Sequence, residues 1–598
     1  MFAVTIPFGL VLGWLIPIGA GADEESQIAR VWEMSTLEFI PNERLGSPSY
    51  PYPMLLREVS YRRQVLIHPV PIDYWTEYSE MPIDGNGYYY GPIQTRIVYS
   101  PILLLPQAFV FRYLGTKFGL SFLTVFFSVR MATLLSYAVL AWLAVRSIPF
   151  GKWTLAILAV SPIAVYQAST VSADAISNGI GLFFIGASLA ICLRKNIGLR
   201  DLLVLLLLIA LLFLAKVNLV ALALLPFVLL RPSDFNTRGG YALMALGTLV
   251  LLALEVGGWS LAAYPRVQSS MIEGADPVRQ ISHILARPFQ FLSLIFRDLL
   301  SNGAVYLKAW MAGYGYDYWS VPLPTYLFFA LAIVASLFIR STIIRPTERT
   351  RLGLVAVFMG GYLVTASVFY VAFSPVAAST IFGIHGRHLF TTMAPLVLAC
   401  VGLVSPIRVD WTRWAAGGAV AGLLFFVGGA ALSYHVSCGS QVYRRGLCYQ
   451  PYYKNWAPDG NLSQPLNPGV VLSQEIIPEC PGLTEVRVWM GATADTSGAT
   501  TVTLMDPLRS VELAKKVYAH ATLLEPGWKI LEFSPQWDSD GRRYLLSIRG
   551  VGGGSGPRVG LTIRPENPAV KLWINEERSA LDLFFQYGCL SGLERALR

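Results

Sequence analysis

The thirty residues DLLVLLLLIALLFLAKVNLVALALLPFVLL, 201 to 230, carry one charge at their start, Asp201, and one in their middle, Lys216. A run of this kind leaves few folds open. Inside a bilayer every backbone amide must be satisfied by the protein itself, so only helices and closed barrels cross it. A barrel requires strands of alternating polarity, and this run does not alternate, so the chain reads as helical and membrane-embedded. One helix of thirty residues would be about 45 Å long against a hydrocarbon core of about 30 Å. The run is therefore expected to form a hairpin that turns near Lys216 and Asn218.

Composition agrees. Of 598 residues, 54% are hydrophobic and 14% charged, and the mean hydropathy is +0.51, more apolar surface than a soluble globule can hide. The net charge of +9 raises the question of nucleic acid. No aromatic-interleaved basic cluster and no zinc-ligand spacing occurs, so nucleic acid is excluded as a partner.

Hydropathy places about eleven transmembrane helices, near 2–20, 122–145, 153–170, 175–193, 202–215, 218–230, 239–264, 322–339, 352–373, 388–405 and 414–434. With the hairpin, Arg146 and Lys152, Arg194, Lys195 and Arg200, Arg231 and Arg238, Arg340, Arg345, Arg349 and Arg351, and Arg408 and Arg413 fall on one side. That side is cytoplasmic by the positive-inside rule. The first run reads as a retained span, because no basic residue precedes it. The outer side then holds the loop 21–121, the STVSADA loop, residues 265–321, the SPVAASTIFGIHGRH loop and the chain beyond about 434. Residues 99–115 and 281–300 are apolar but short or interrupted, and read as interfacial or re-entrant helices. The expected location is a bacterial cytoplasmic (inner) membrane, with the lipid bilayer as partner and the outer loops facing the periplasm or the exterior.

The chain divides into a transmembrane domain, 1–434, and a tail, 435–598. In the tail the short runs TEVRVWM, TTVTLM, WKILEF, RRYLLSIR and VGLTIR are separated by Gly, Pro, Asp and Ser. This is the pattern of an antiparallel β-sandwich, jelly-roll-like in its strand spacing. The glycines of GVGGGSGPR, 550–558, are expected to form a hairpin loop. Four of the six cysteines lie in the tail, and an even set in an exported domain suggests two disulfides. The simplest of three pairings is Cys438 with Cys448 and Cys480 with Cys589.

The order DEESQIAR after the first span, YSP at 99–101, Arg130 in SVRMATLL, SPIAVYQASTVSADA, GYGYDYWSVPLP and GRHLFTTMAPL resembles the bacterial membrane proteins of domain of unknown function 2142, grouped with the GT-C glycosyltransferase superfamily. The chain departs from that pattern at Ala22 and Gln27, where the family has Pro and His. The resemblance implies a GT-C-like fold and a sugar donor carried on a polyprenyl phosphate. It implies an outward-facing active site, a carboxylate from the first outer loop, and a glycan or lipid-linked acceptor of the cell envelope.

The residues fit those roles. An acceptor hydroxyl needs a general base as it attacks the anomeric carbon, and Asp23 and Glu24 are the candidates, with Asp174 behind them. The leaving phosphate needs positive charge, offered by Arg387 and Arg130 with His388 beside them, or a divalent metal, Mg or Mn. Within the matching stretches Tyr99, Tyr166, Gln167 and Tyr316 are candidates for substrate binding. Each has a plainer reading. Asp23, Glu24 and Glu25 could cap an interfacial helix, and Ser172 or Asp174 could cap the next span. Arg130, about eight residues inside its span, needs a partner, for which Glu255 is available. An envelope polysaccharide polymerase or ligase, and a lipid or glycan transporter, are the alternative functions. The transporter predicts internal repeats, which the sequence lacks.

Overall fold

The computed structural model describes residues 1–40, 43–44, 47–53, 88–92, 100–263, 274–315, 321–339, 345–403, 410–435, 443–444, 447–450, 462–478, 480–493, 496–552, 554–562 and 571–590. They fall into two compact units that divide between Ala431 and Leu432, the first mainly helical with a three-stranded sheet, Glu43–Arg44, Ser47–Pro53 and Tyr88–Pro92, and the second built of β-strands.

Among the described residues five helices are long and apolar enough to cross a bilayer: Phe122–Ser147, Ala173–Arg194, Gly240–Gly257, Glu348–Phe373 and Trp411–His435. Three shorter apolar helices, Phe2–Leu15, Val217–Leu229 and Leu323–Leu337, accompany them. Two of the expected spans are interrupted. The stretch 153–170 is two helices, Lys152–Ala159 and Pro162–Ala168, because Pro162 cannot continue the first helix and Ser161 caps the second through Ala164 N at 3.3 Å. Over the described part of the stretch 388–405, the α-helix covers Phe390–Ala399 and follows the 3-10 turn Gly386–Leu389. Residues 281–300 form part of Pro277–Ala286 and Pro288–Met311. The latter exposes Phe289, Phe296 and Leu300 while burying Asp298 against Tyr306 and Tyr362.

Ala173–Arg194 is the central helix: 83% of its most apolar stretch is buried, against 17% for Gly240–Gly257. Its glycines make this possible. A Cβ on Gly186 would lie 2.5 Å from Ala144 O, and one on Gly181 2.3 Å from Thr391 Cγ2. Small residues let neighbouring helices close to this distance, which supplies the packing that apolar lipid does not drive.

The thirty-residue run is a hairpin. Leu199–Ala215 leads to an extended Lys216 (φ −143°, ψ 141°), and the chain returns through a 3-10 turn, Val217–Ala223, and Leu224–Leu229. Its two ends meet: Ile197 N donates to Asp234 O at 2.7 Å and Asn236 N to Ile197 O at 3.0 Å. Arg349 reaches Val228 O at 3.3 Å, Arg351 reaches Val401 O at 2.7 Å, and Gly151 packs on Leu398 and Val401. The basic segments around 151, 197, 234 and 350 therefore gather at one end of the unit, and Lys216 marks the other.

Among the described residues the β unit contains two large antiparallel sheets and a two-stranded one, Leu561–Thr562 with Asp582–Leu583. One large sheet orders Gly527–Gln536, Leu483–Met490, Phe585–Leu590, Leu447–Gln450 and Tyr443–Arg444. The other orders Glu577–Arg578, Leu572–Ile574, Val471–Ile476, Tyr544–Val551, Ala499–Asp506 and Val511–Ala519. Alternate residues of both, among them Val486, Val488, Val502, Leu504, Leu546 and Ile548, enter a single core. Cys480 and Cys589 are bridged. The expected Cys438–Cys448 pair lies outside the described residues, since Cys438 and the Cys448 side chain are not among them. The glycine-rich stretch is not a hairpin. Tyr544–Val551 pairs with Val471–Ile476 and Ala499–Asp506, whereas Leu561–Thr562 pairs with Asp582–Leu583. Gly550 and Gly556 are needed because a Cβ on either would meet Leu466 O at 2.1 or 2.2 Å.

Candidate functional site

At the end of the helical unit remote from the basic loops, the chain leaves Phe2–Leu15 and turns at Asp23, whose left-handed φ of 59° makes it the N-cap of Glu24–Ser35. The two acids then point into different surroundings.

Glu24 is fully buried. Its Oε1 accepts Arg130 Nε at 2.8 Å and Val171 N at 2.9 Å, and its Oε2 accepts Arg130 Nη2 at 2.7 Å, Gly19 N at 3.0 Å and Gly21 N at 3.2 Å. Arg130 also donates to Gly13 O at 2.6 Å, Ile16 O at 2.8 Å and Pro17 O at 3.1 Å, and it covers the Phe126 ring at 4.9 Å. This bidentate pair ties the end of the first helix to Phe122–Ser147 and to the loop before Ala173–Arg194. The expected partner of Arg130, Glu255, sits instead in a π-helical turn, Leu252–Gly257. Glu24 and Arg130 are thus a buried ion pair, with 0% and 2% of their side chains exposed.

Asp23 is partly open, with 17% of its side chain exposed, and lies 3.3 Å from Arg387 Nη2. Arg387 comes from the 3-10 turn Gly386–Leu389, in which Gly386 allows backbone to approach Trp310 N at 2.3 Å from where a Cβ would stand. It also donates to Gly315 O at 3.2 Å, and its Nε lies 3.4 Å from His388 Nε2 and 3.9 Å from Asp174 Oδ2.

Asp174 stands in the first turn of Ala173–Arg194, where Ser172 takes the N-cap position without a side-chain cap bond. Its Oδ1 accepts Lys216 Nζ and its Oδ2 accepts Gln167 Nε2 at 3.2 Å. Gln167 Oε1 accepts Asn178 Nδ2 at 2.8 Å, and Asn178 Oδ1 accepts Thr391 Oγ1 at 2.9 Å. His388 Nδ1 accepts the His385 N–H at 3.1 Å, and its carbonyl accepts Asn218 Nδ2 at 3.1 Å. Gln27, at the departure from the family pattern, accepts the Ala173 N–H.

The structure therefore brings Asp23, Asp174, Arg387, His388 and Gln167 together. Tyr166 lies at their edge, buried, with its hydroxyl accepting Gly315 N at 2.7 Å and donating to Ala20 O at 3.2 Å. Tyr99 and Tyr316 lie outside the described residues, as does the Glu25 side chain. Lys216 is the member that sequence reasoning missed. Its signal is a cation interrupting a thirty-residue apolar run, which marks the turn and also carries a charge to Asp174. Among the described residues no three His, Cys, Asp or Glu side chains converge on one point. The two described carboxylates of the cluster, Asp23 and Asp174, both face Arg387.

No curated protein matches the chain. A family model described as a predicted membrane protein, domain of unknown function 2142, matches residues 7–397, a stretch that contains every residue of the cluster and ends before the β unit. With more than half of its length matched, the chain belongs to this family of predicted membrane proteins.

Proposed function

We propose that the chain is a membrane glycosyltransferase of the GT-C type, which moves a sugar from a polyprenyl-phosphate donor to a cell-envelope glycan or lipid-linked acceptor with inversion. The observation that carries this reading is the Asp23–Arg387 pair, 3.3 Å apart and partly open, at the end of the helical unit opposite the basic loops. By the positive-inside rule those loops are cytoplasmic, which gives the pair an outer, periplasmic or extracellular, position in a bacterial inner membrane. The short and interrupted helices then complete about eleven passes, and the β unit is an exported sandwich.

In the proposed step the acceptor oxygen forms a bond to the anomeric carbon as the bond from that carbon to the phosphate oxygen breaks. Asp23 takes the acceptor's proton, and the polyprenyl phosphate leaves as an anion beside Arg387. Asp23 suits the base because it is partly open and sits at a rim, whereas Glu24 is enclosed by five donors. Arg387 suits the phosphate because Arg130 is committed to Glu24.

The test is transfer by the full chain in liposomes, with a panel of labelled polyprenyl-phospho-sugars. Asp23→Asn should bind donor and lose about a hundred- to ten-thousand-fold in rate, the usual worth of a general base. Arg387→Ala should weaken donor binding. Undiminished transfer by Asp23→Asn would refute the assignment of the base.

A further inference from the structure

Two cations from distant parts of the chain converge on Asp174. Lys216 comes from the apex of the 199–229 hairpin and Arg387 from the 3-10 turn before Phe390–Ala399. Lys216 is bonded to Oδ1, and Arg387 Nε lies 3.9 Å from Oδ2. We propose that these cations form a two-cation site for the phosphate of a lipid-linked ligand, in which Asp174 is the resident counter-ion that the phosphate displaces. The inference deepens the glycosyltransferase reading and rests on it for the source of the phosphate.

Three features separate this cluster from a structural ion pair. The first is contact length at the arginine, since Lys216 is bonded directly to Asp174. Arg387 reaches its two carboxylates at 3.3 and 3.9 Å, whereas Arg130 holds Glu24 at 2.7 and 2.8 Å, the range of a committed charge-assisted pair. The second is access. Lys216, Asp174 and Arg387 keep 11%, 10% and 8% of their side chains exposed, while Arg130 and Glu24 keep 2% and 0%. The third is the support behind Asp174. The relay through Gln167, Asn178 and Thr391 grips the carboxylate independently of the cations, so it stays in place when they turn to another anion. The lysine is suited to that movement, since its ammonium is a point charge on a flexible four-carbon stem, and the arginine beside it can present two N–H groups to adjacent phosphate oxygens.

The site can be tested by binding alone, with no sugar transferred, using the full chain in nanodiscs. The probes are a long-chain polyprenyl monophosphate, the same alcohol without phosphate, and inorganic phosphate. The wild-type protein should bind the lipid phosphate and not the alcohol. Lys216→Gln should weaken that binding about tenfold and Lys216→Arg should restore it, while Asp174→Asn, which removes the competing charge, should tighten it about tenfold. Thermal unfolding of each variant separates lost binding from lost fold. If Asp174→Asn weakens binding as Lys216→Gln does, the carboxylate organises the cations instead of competing for them, and the proposal fails. If Lys216→Gln binds like wild type while Arg387→Gln does not, the proposal fails and the donor reading stands. If wild type binds inorganic phosphate but not the lipid, the anion site stands and the lipid donor is wrong.

Discussion

Replacing Glu24 by Gln tests whether the two adjacent acids have been assigned to the right roles. The amide keeps the size of the carboxylate but removes its charge and turns one acceptor oxygen into a donor. Glu24 accepts from Arg130 twice and from the backbone N–H groups of Gly19, Gly21 and Val171. Arg130 is 2% exposed and would be left in the interior without its counter-charge. Removing one partner of a buried pair costs about 3–5 kcal/mol. For a helical unit that runs to Ala431 this lowers the unfolding midpoint by about 3–6 °C. The midpoint is read by intrinsic fluorescence of the detergent-solubilised protein on heating. The double variant Glu24→Gln with Arg130→Met should regain part of the loss, because removing both charges leaves no buried ion to solvate. Folded Glu24→Gln recovered below its midpoint should still transfer sugar. A variant with an unchanged midpoint and no transfer would refute the argument and make Glu24 the base.

Other consequences can be checked directly. Cys480→Ser opens a bridge that spans 109 residues, so the β unit should lose about 4–5 kcal/mol of stability by loop entropy, and an unchanged denaturant midpoint would be inconsistent with it. Gly186→Val places a Cβ 2.5 Å from Ala144 O, which should reduce the yield of folded protein while Gly257→Val, where a Cβ meets nothing within 4 Å, leaves it intact. Equal yields would contradict the close helix packing. Single cysteines near 197 and 346 should resist an impermeant thiol reagent in intact cells and one near 300 should react; labelling at 346 would invert the proposed orientation.

Much of the architecture is legible in one dimension because it depends on local pattern. Hydropathy marks the long helices, excess length marks the hairpin at Lys216, and alternation marks the strands at 484–490, 500–505 and 542–549. What fails is what depends on partners far apart. Pro162 divides a run that hydropathy reads as one span. The strand after GVGGGSGPR pairs away from the strand before it, so local turn chemistry gives no notice of the crossing. Arg130 demands an acid, for which the sequence suggests Glu255, whereas the structure supplies Glu24. The choice is made by helix rotation, which places Arg130 beside the chain segment 13–24. Arg387 and Asp23 are 364 residues apart, and no periodicity links them.

The difference between Asp23 and Glu24 follows from one backbone conformation. If Asp23 were helical, it would continue the turn of Glu24–Ser35 and its side chain would leave the axis about 100° from that of Glu24. At φ 59° it ends the helix instead, and its carboxylate points to Arg387 while Glu24, one residue on, is driven into the interior against Arg130. Asp and Asn tolerate this left-handed region better than other residues with a Cβ. The turn is held from its other side by Gly19 and Gly21, whose N–H groups meet the Glu24 carboxylate. The buried pair therefore fixes the conformation that keeps the neighbouring acid available, and a structural contact and a chemical group share a single turn. This dependence also selects the probe. Asp23→Asn preserves both the left-handed turn and the hydrogen-bonding shape, so a loss of transfer in that variant reports on basicity, whereas Asp23→Ala would strain the backbone and mix the two effects.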